Sequence, residues 1–77
     1  MSVVIKFFGQ LEEVTHCNKA VWPVMKDTDM LRKRIISVFP VLKKHPFVIA
    51  VNKKIVKENQ LLKPDDEVAL LPPFAGG

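Results

Sequence analysis

This 77-residue sequence contains one cysteine, Cys17, and two histidines, His16 and His45, whose thiol and imidazole groups could act as nucleophiles or metal ligands. A nucleophilic cysteine needs surroundings that favour the thiolate, and the residues around Cys17 show no activating pattern. His16 is adjacent to Cys17 but His45 is distant, which is not a metal-ligand spacing. We therefore expect an inert thiol and no bound metal, and a single cysteine also excludes a disulfide framework.

The end of the sequence is better suited to chemistry. Two of the three glycines are Gly76 and Gly77, directly after the segment Pro72-Pro73-Phe74-Ala75. Without a Cβ, glycine can enter a channel too narrow for other residues and adopt the φ that the channel requires. The prolines favour a stiff, extended stem, and residues 72–77 can span at most about 20 Å. A stiff stem with a thin tip predicts that the Gly77 carboxyl group is delivered into the active site of another protein.

Phe74 lies beyond the last predicted strand, where the core of the domain can hardly reach it. An aromatic ring in that position predicts an anchor in a groove of the partner, because buried aromatic residues are frequent interface hot spots. Two alternatives stay open: the Phe74 ring could fold back on its own sheet, and the tail could be an ordinary frayed chain end.

Composition limits the class of protein. A hydrophobic content of 48% argues against disorder, and apolar runs far shorter than about 18 residues argue against a membrane-spanning helix. The sequence starts without the features of a secretory signal, so we expect a small cytoplasmic domain with no membrane partner. The net charge of +4 is spread along the chain, with Arg32-Lys33-Arg34 as a short run, and no pattern typical of nucleic-acid binding accompanies it.

Apolar runs and turn residues predict the order β-β-α-β-β-β, a two-layer α+β domain. The predicted strands cover residues 3–8, 20–24, 47–51, 55–56 and 67–71. A helix of about 12 residues is expected to begin near Asp27, a good capping residue, and to end before Pro40. Pro23 cannot donate to a sheet, so the second strand should lie at an edge or end there.

Four further details follow from local patterns. Residues 10–19 should form a loop or a single helical turn, and Asn52 suits a tight turn because asparagine tolerates positive φ. The run Arg32-Lys33-Arg34 should lie mostly on the solvated side of the helix. The helical spacing predicts an apolar stripe consisting of Leu31, Ile35, Val38 and Leu42, widened by Ile36 and Phe39.

The segment Asp-Glu-Val-Ala-Leu-Leu-Pro-Pro-Phe-Ala-Gly-Gly over residues 66–77 resembles the C-terminus of the MoaD/ThiS family, and of the MoaD-like small subunits of molybdopterin synthase in particular. The opening Val-Ile-Lys-Phe-Phe-Gly run and Ala50-Val51-Asn52 are similar to that family as well. The segment 10–16 departs from it, because it lacks the Arg-Glu and glycine common there. The resemblance implies a ubiquitin-like β-grasp domain over residues 1–71 and a Gly-Gly tail over residues 72–77.

The resemblance also implies a mechanism. In such proteins the terminal glycine, here Gly77, is adenylated by an ATP-dependent MoeB-like enzyme, and a sulfur donor protein then converts the adenylate into a thiocarboxylate. Together with a MoaE-like large subunit, the carrier gives its sulfur to a cyclic pyranopterin precursor. The chain itself is expected to hold no permanent cofactor. Gly76 would give passage, and the tail would be directed by Pro72, Pro73, Phe74 and Ala75.

Two other functions remain open, because each also needs a free Gly77 carboxyl group. The first is a ThiS-like carrier of sulfur for thiamine synthesis or tRNA thiolation. The second is a ubiquitin-like modifier whose terminal glycine is joined to lysines of target proteins. The Pro-Pro-Phe segment favours the molybdopterin synthase subunit over both.

Overall fold

The predicted strands form one mixed sheet in a computed structural model, which describes residues 1–73. Within that part of the chain the sheet has five strands, in the spatial order β2-β1-β5-β3-β4. The strands are β1 (Ser2–Phe7), β2 (Lys19–Pro23), β3 (Val48–Val51), β4 (Lys54–Ile55) and β5 (Glu67–Leu71). The helical segments are α1 (Gln10–Thr15), α2 (Thr28–Val38) and a 3₁₀ helix (Pro40–Lys43). The predicted order of strands and main helix is confirmed, and the fold is a ubiquitin-like β-grasp.

The centre of the sheet joins distant parts of the chain. β5 lies between β1, to which it is parallel, and β3, to which it is antiparallel. The outer pairs, β1 with β2 and β3 with β4, are antiparallel. β5 is therefore hydrogen-bonded along both sides, which makes it a rigid support for whatever follows it.

Alternation of side chains explains why β1 and β5 are strands. Val3, Ile5 and Phe7 of β1 are buried on the face that α2 covers, while the residues between them point to the other face. Val68 and Leu70 pair with Ile5 and Phe7 and continue the same buried layer. The helix closes this layer with the fully buried side chains Leu31 and Ile35.

The start of α2 is fixed by side-chain hydrogen bonds. The Asp27 carboxylate accepts from the Met30 backbone N–H at 2.9 Å, and its second oxygen accepts from Asn59 Nδ2 at 3.2 Å. These hydrogen bonds, helped by the nearby Lys26 and Lys33 ammonium groups, lower the pKa of Asp27. The Asn59 oxygen in turn accepts from the Asp29 backbone N–H at 2.9 Å. The cap therefore also ties the loop around Asn59 to the helix.

The far end of α2 stops before Pro40 as predicted, but the predicted apolar stripe is not buried along its whole length. The helix ends at Val38, and the chain re-forms as a 3₁₀ helix from Pro40, because Phe39 adopts an extended φ of −122° before the proline. Val38, the last residue of α2, is 47% exposed, so its predicted place in the apolar stripe is wrong. Leu42 is buried as expected, but the 3₁₀ helix supplies it.

Arg32 also departs from its predicted solvated position. Its guanidinium carbon lies 4.9 Å from the centre of the Phe47 ring, and Nη1 donates to the Phe47 carbonyl oxygen at 3.4 Å. Cation–π contact and the packing of its aliphatic stem make this arginine half-buried. It therefore fastens α2 to the chain that leads into β3.

Local turns largely follow the sequence. Asn52 and Lys53 both have positive φ, 50° and 72°, as the tight turn between β3 and β4 requires. β2 is an edge strand of the described sheet and ends at Pro23, which confirms both expectations for that proline. The segment expected to be a loop or a single turn forms α1 over Gln10–Thr15. Residues 1–73 contain no helix long and apolar enough to cross a membrane.

Candidate functional site

The predicted tail begins at the end of β5. Pro72 and Pro73, which we call the tail root, follow Leu71 directly; Pro72 is half-buried and Pro73 is exposed. Because β5 is paired on both sides, the tail root leaves the sheet from a fixed point. The predicted site residues Phe74, Ala75, Gly76 and Gly77 lie outside the described residues, so their roles and the boundary between residues 71 and 72 stay predictions.

Gly9 lies directly beside the tail root. A Cβ atom built on Gly9 would lie 3.2 Å from Pro72 Cγ and 3.7 Å from Pro72 Cδ. The distance to Cγ is shorter than an ordinary van der Waals contact. The backbone of Gly9 has φ +57° and ψ −134°, a combination that side-chain-bearing L residues rarely adopt. Gly9 therefore allows the chain to turn from β1 into α1 and lets the Pro72 ring pack against it.

Sequence reasoning missed this contact. The signal that could have found it is the isolated position of Gly9, the one glycine outside the tail, directly after a run of strand-forming residues. The segment around it lies at the carboxyl end of β1, and the parallel pairing of β1 with β5 brings that end next to the end of β5. Gly9 is thus a candidate for fixing the direction in which the tail leaves the domain.

A partly apolar surface extends from the tail root across the sheet. The face of the sheet turned away from α2, which we call the outer sheet face, carries a lysine–glutamate pair and several apolar side chains. Lys6 Nζ lies 3.3 Å from Glu67 Oε2, an exposed ion pair of small energetic value. The apolar members of this face include Phe8, Val48, Ile55, Ala69 and Leu71. Phe8 and Ile55 are exposed by 42% and 56%, so this face has apolar area available for a partner.

The thiol and imidazole groups do not form a site with the tail root. Cys17 is half-buried, and its Sγ lies 3.4 Å from the Lys19 carbonyl oxygen. His16 is exposed at the end of α1 in a left-handed conformation. Within residues 1–73, histidine, cysteine, aspartate and glutamate side chains form no group of three or more that could hold a metal ion.

Comparison with known proteins identifies the family. The ThiS family matches residues 5–77, nearly the whole chain, including the tail. The chain therefore belongs to the ThiS family, and it is a small ubiquitin-like protein of the sulfur-carrier class.

Solved structures agree with this assignment. The complex of subunits 1 and 2 of molybdopterin-converting factor from Helicobacter pylori contains a chain with 30% identity, 100% coverage of both chains and a TM-score of 0.73. Small archaeal modifier protein 1 from Methanosarcina acetivorans has 22% identity, coverage of 99% of this chain and 96% of that chain, and a TM-score of 0.80. A candidate molybdopterin converting factor, subunit 1, from Pyrococcus furiosus has 20% identity, coverage of 94% and 97%, and a TM-score of 0.80. The last two likenesses establish the shared fold.

Proposed function

We propose that this chain is the sulfur-carrier small subunit of a molybdopterin synthase. The carboxyl group of Gly77 is adenylated by a MoeB-like partner that consumes ATP, and a sulfur donor protein then displaces AMP to leave a thiocarboxylate. In complex with a MoaE-like large subunit, the thiocarboxylate sulfur attacks a cyclic pyranopterin precursor, and water then cleaves the acyl–sulfur bond, which leaves the sulfur on the precursor and restores the Gly77 carboxylate. Acid–base groups for that transfer come from the large subunit.

Each step answers a chemical difficulty. A carboxylate is a poor electrophile, because it is anionic and its leaving group would be oxide. Adenylation replaces oxide by AMP, which leaves readily. The resulting thiocarboxylate is ionised at neutral pH and nucleophilic, so it can attack the precursor. ATP is consumed within the partner, and the carrier needs only to place its chain end there.

The observation that carries the proposal is the family match, which runs from residue 5 through Gly77. The structure supports it by placing the tail root at the end of a doubly paired strand, where a partner could receive the following residues. The Helicobacter pylori relative, which is solved as subunit 1 bound to subunit 2, favours molybdopterin synthase among the functions open to this family.

The proposal assigns a role to each part of the tail. Gly76 gives passage through a narrow channel, and Pro72, Pro73 and Ala75 direct the segment into it. The Phe74 ring is the apolar anchor in the groove of the partner. The outer sheet face, which begins beside the tail root at Phe8 and Leu71, supplies the area against which the large subunit docks.

Intact-mass spectrometry of the chain after incubation with the adenylating enzyme, ATP and the sulfur donor tests the first half of the proposal. We expect a mass increase equal to the replacement of one oxygen by sulfur, located at Gly77. Deleting Gly77 should abolish this increase while leaving urea unfolding nearly unchanged, because glycine has no side chain to bury. Leu70→Ala is the opposite control: it removes a fully buried side chain and should cost about 2–5 kcal/mol of stability.

Four further measurements test the remaining parts of the proposal. Cys17→Ser should load sulfur normally, and a folded variant that cannot be loaded would contradict the expectation that the thiol is inert. Addition of a MoaE-like subunit and the pyranopterin precursor should discharge the thiocarboxylate, whereas discharge only in a thiazole or tRNA thiolation assay would contradict the assignment. Conjugates on lysines of other proteins would favour a modifier.

Phe74→Ala should weaken binding to the large subunit more than it lowers stability, and equal losses would place Phe74 in the core.

A further inference from the structure

A groove runs between the edge of the sheet and the main helix, away from the tail root. Its volume is about 440 Å³. Because helix positions three, four and seven residues apart share one side of an α-helix, α2 contributes a continuous wall to it. We call it the edge groove, and it is lined by Pro23, Val24 and Met25 after β2 and by Met30, Lys33, Arg34 and Ser37 of α2.

The strand beside this groove has backbone groups available for pairing. Val24 N–H donates to the Met1 carbonyl oxygen, and Phe7 N–H donates to the Asn18 carbonyl oxygen. In an antiparallel pair, every second residue of a strand bonds to the neighbouring strand. Asn18 and Val24 both bond to β1, so Val21, at an odd number of residues from each, directs its N–H and C=O away from β1. β2 is an edge strand of the described sheet, and these groups point outward. An extended peptide could therefore pair with Val21 and with the Pro23 carbonyl oxygen.

Apolar side chains form the floor of the groove. Met30 is 51% exposed on α2, and Met25 packs partly against the core across from it. Methionine side chains are flexible and polarizable, which suits a surface that must fit a bound peptide. Since side chains of a strand alternate between two faces, every second residue of a peptide paired with β2 would point into the groove. The floor therefore selects apolar residues at alternate positions.

The charge on the rim determines the rest of the ligand. Lys33 and Arg34 line the groove, and within residues 1–73 none of its lining side chains is acidic. The neighbouring Asp27 carboxylate accepts hydrogen bonds from Met30 N–H and Asn59 in the helix cap; it offsets part of the Lys33 charge but does not line the groove. Asp29 lies on the other side of α2, in a separate depression with Arg32. The rim is thus positive, and it is complementary to carboxylates.

We propose that the edge groove is a docking site for an extended peptide segment of a partner protein, with apolar residues at alternate positions and acidic residues flanking them. The segment adds to β2 as a further strand, and its carboxylates pair with Lys33 and Arg34. Pro23 lacks an N–H, so the added strand is short, which favours a linear segment over a second copy of this chain.

The edge groove and the tail root lie at opposite ends of β1. Pro23 pairs with Ser2 at the start of β1, whereas Pro72 packs at Gly9, beyond the end of β1. The length of β1, six residues, separates the two places by roughly 20 Å. A partner could therefore hold the edge groove through a flexible segment while its active site receives the tail, and such tethering raises the effective concentration of the carrier.

The test uses NMR amide shifts of the full chain and a capped synthetic peptide in which valine alternates with serine before a run of aspartates. We expect saturable shifts at Val21 and Met30. N-methylation of the peptide nitrogens that face β2 should abolish binding, and N-methylation of the alternate nitrogens should leave it intact. Absence of saturable shifts at millimolar peptide, or equal effects of the two methylation patterns, would overturn the proposal.

Charge-reversal variants locate the contact. Lys33→Glu combined with Arg34→Glu should weaken binding about tenfold. The matched control, Lys54→Glu combined with Lys57→Glu at the opposite edge of the sheet, should change it less than about twofold. Equal losses in both pairs would indicate non-specific attraction and refute the site. Stronger shifts of the same amides by a short oligonucleotide, or concentration-dependent dimers through β2, would assign the groove to nucleic acid or to a second copy.

The measurement is independent of the proposed carrier function. Peptide binding is repeated on the chain lacking Gly77, which cannot be loaded with sulfur and should bind the peptide with unchanged affinity. Loss of binding on deletion of Gly77 would contradict a separate site. If loading fails but binding persists, only the carrier function is wrong.

Discussion

Gly9→Ala tests whether the contact between Gly9 and Pro72 sets the direction of the tail. The methyl group would force alanine into φ +57° and ψ −134°, outside the left-handed region that L residues tolerate best, at a cost of about 1–3 kcal/mol. The same methyl would lie 3.2 Å from Pro72 Cγ, so the ring must shift by a few tenths of an ångström. A domain of 77 residues has a stability of roughly 4–12 kcal/mol, so the variant should still fold.

Three companion variants separate the backbone strain at position 9 from the contact with Pro72. Urea unfolding of Gly9→Ala, Pro72→Ala and the double variant forms a double-mutant cycle. Removing the Pro72 ring should relieve only the close contact of the new methyl group, so the coupling free energy between the two positions should be below about 1 kcal/mol. A synthetic chain with D-alanine at position 9 should be as stable as the parent, because this φ and ψ mirror a favourable extended conformation of an L residue. At temperatures where it is folded, Gly9→Ala should load sulfur more slowly. A cost below about 0.5 kcal/mol, or full recovery in the double variant, would refute the reasoning.

Two further predictions concern the framework. Asp27 has a lowered pKa in the folded chain, so its stabilising effect is complete above the ordinary value of 3.8 and is lost as pH falls through the folded pKa. The difference in stability between the parent and Asp27→Asn should therefore shrink in acid, and a difference that urea titrations find constant with pH would contradict this. Asn52→Gly keeps the positive φ of the turn but removes hydrogen bonds to Asp66 at 2.9 Å and from Glu67 N–H at 3.0 Å, so it should cost about 1–2 kcal/mol in the same assay. An unchanged midpoint would show that these exposed bonds contribute nothing.

Local patterns predicted much of the fold because local physics determines those parts. The strand over residues 67–71 was predicted with its observed bounds, since a short apolar run lies between a turn and two prolines. Pro23 ended β2, Asp27 capped α2, and Pro40 stopped the helix, each through a steric or hydrogen-bonding property of one residue. The family, and with it the sulfur-carrier class, followed from the residues of the tail.

Features that depend on distant contacts escaped prediction. Val38 was expected inside because it lies at helical spacing from Leu31 and Ile35, but burial at the last position of α2 depends on what packs there, and Val38 is exposed. Arg32 was expected in solvent from its place in a run of charged residues. Its contact with the Phe47 ring depends on how α2 packs on the chain before β3, which a local pattern does not show. The contact of Gly9 with Pro72 requires the parallel pairing of β1 and β5, which no short pattern encodes.

The central place of β5 has a consequence during protein synthesis. Until residues 67–71 have emerged from the ribosome, β1 with β2 and β3 with β4 can form only two separate hairpins, which are at best marginally stable alone. Insertion of β5 joins them in one cooperative step across a long loop. An enzyme that recognises the assembled sheet would thus not bind translation products that end before β5.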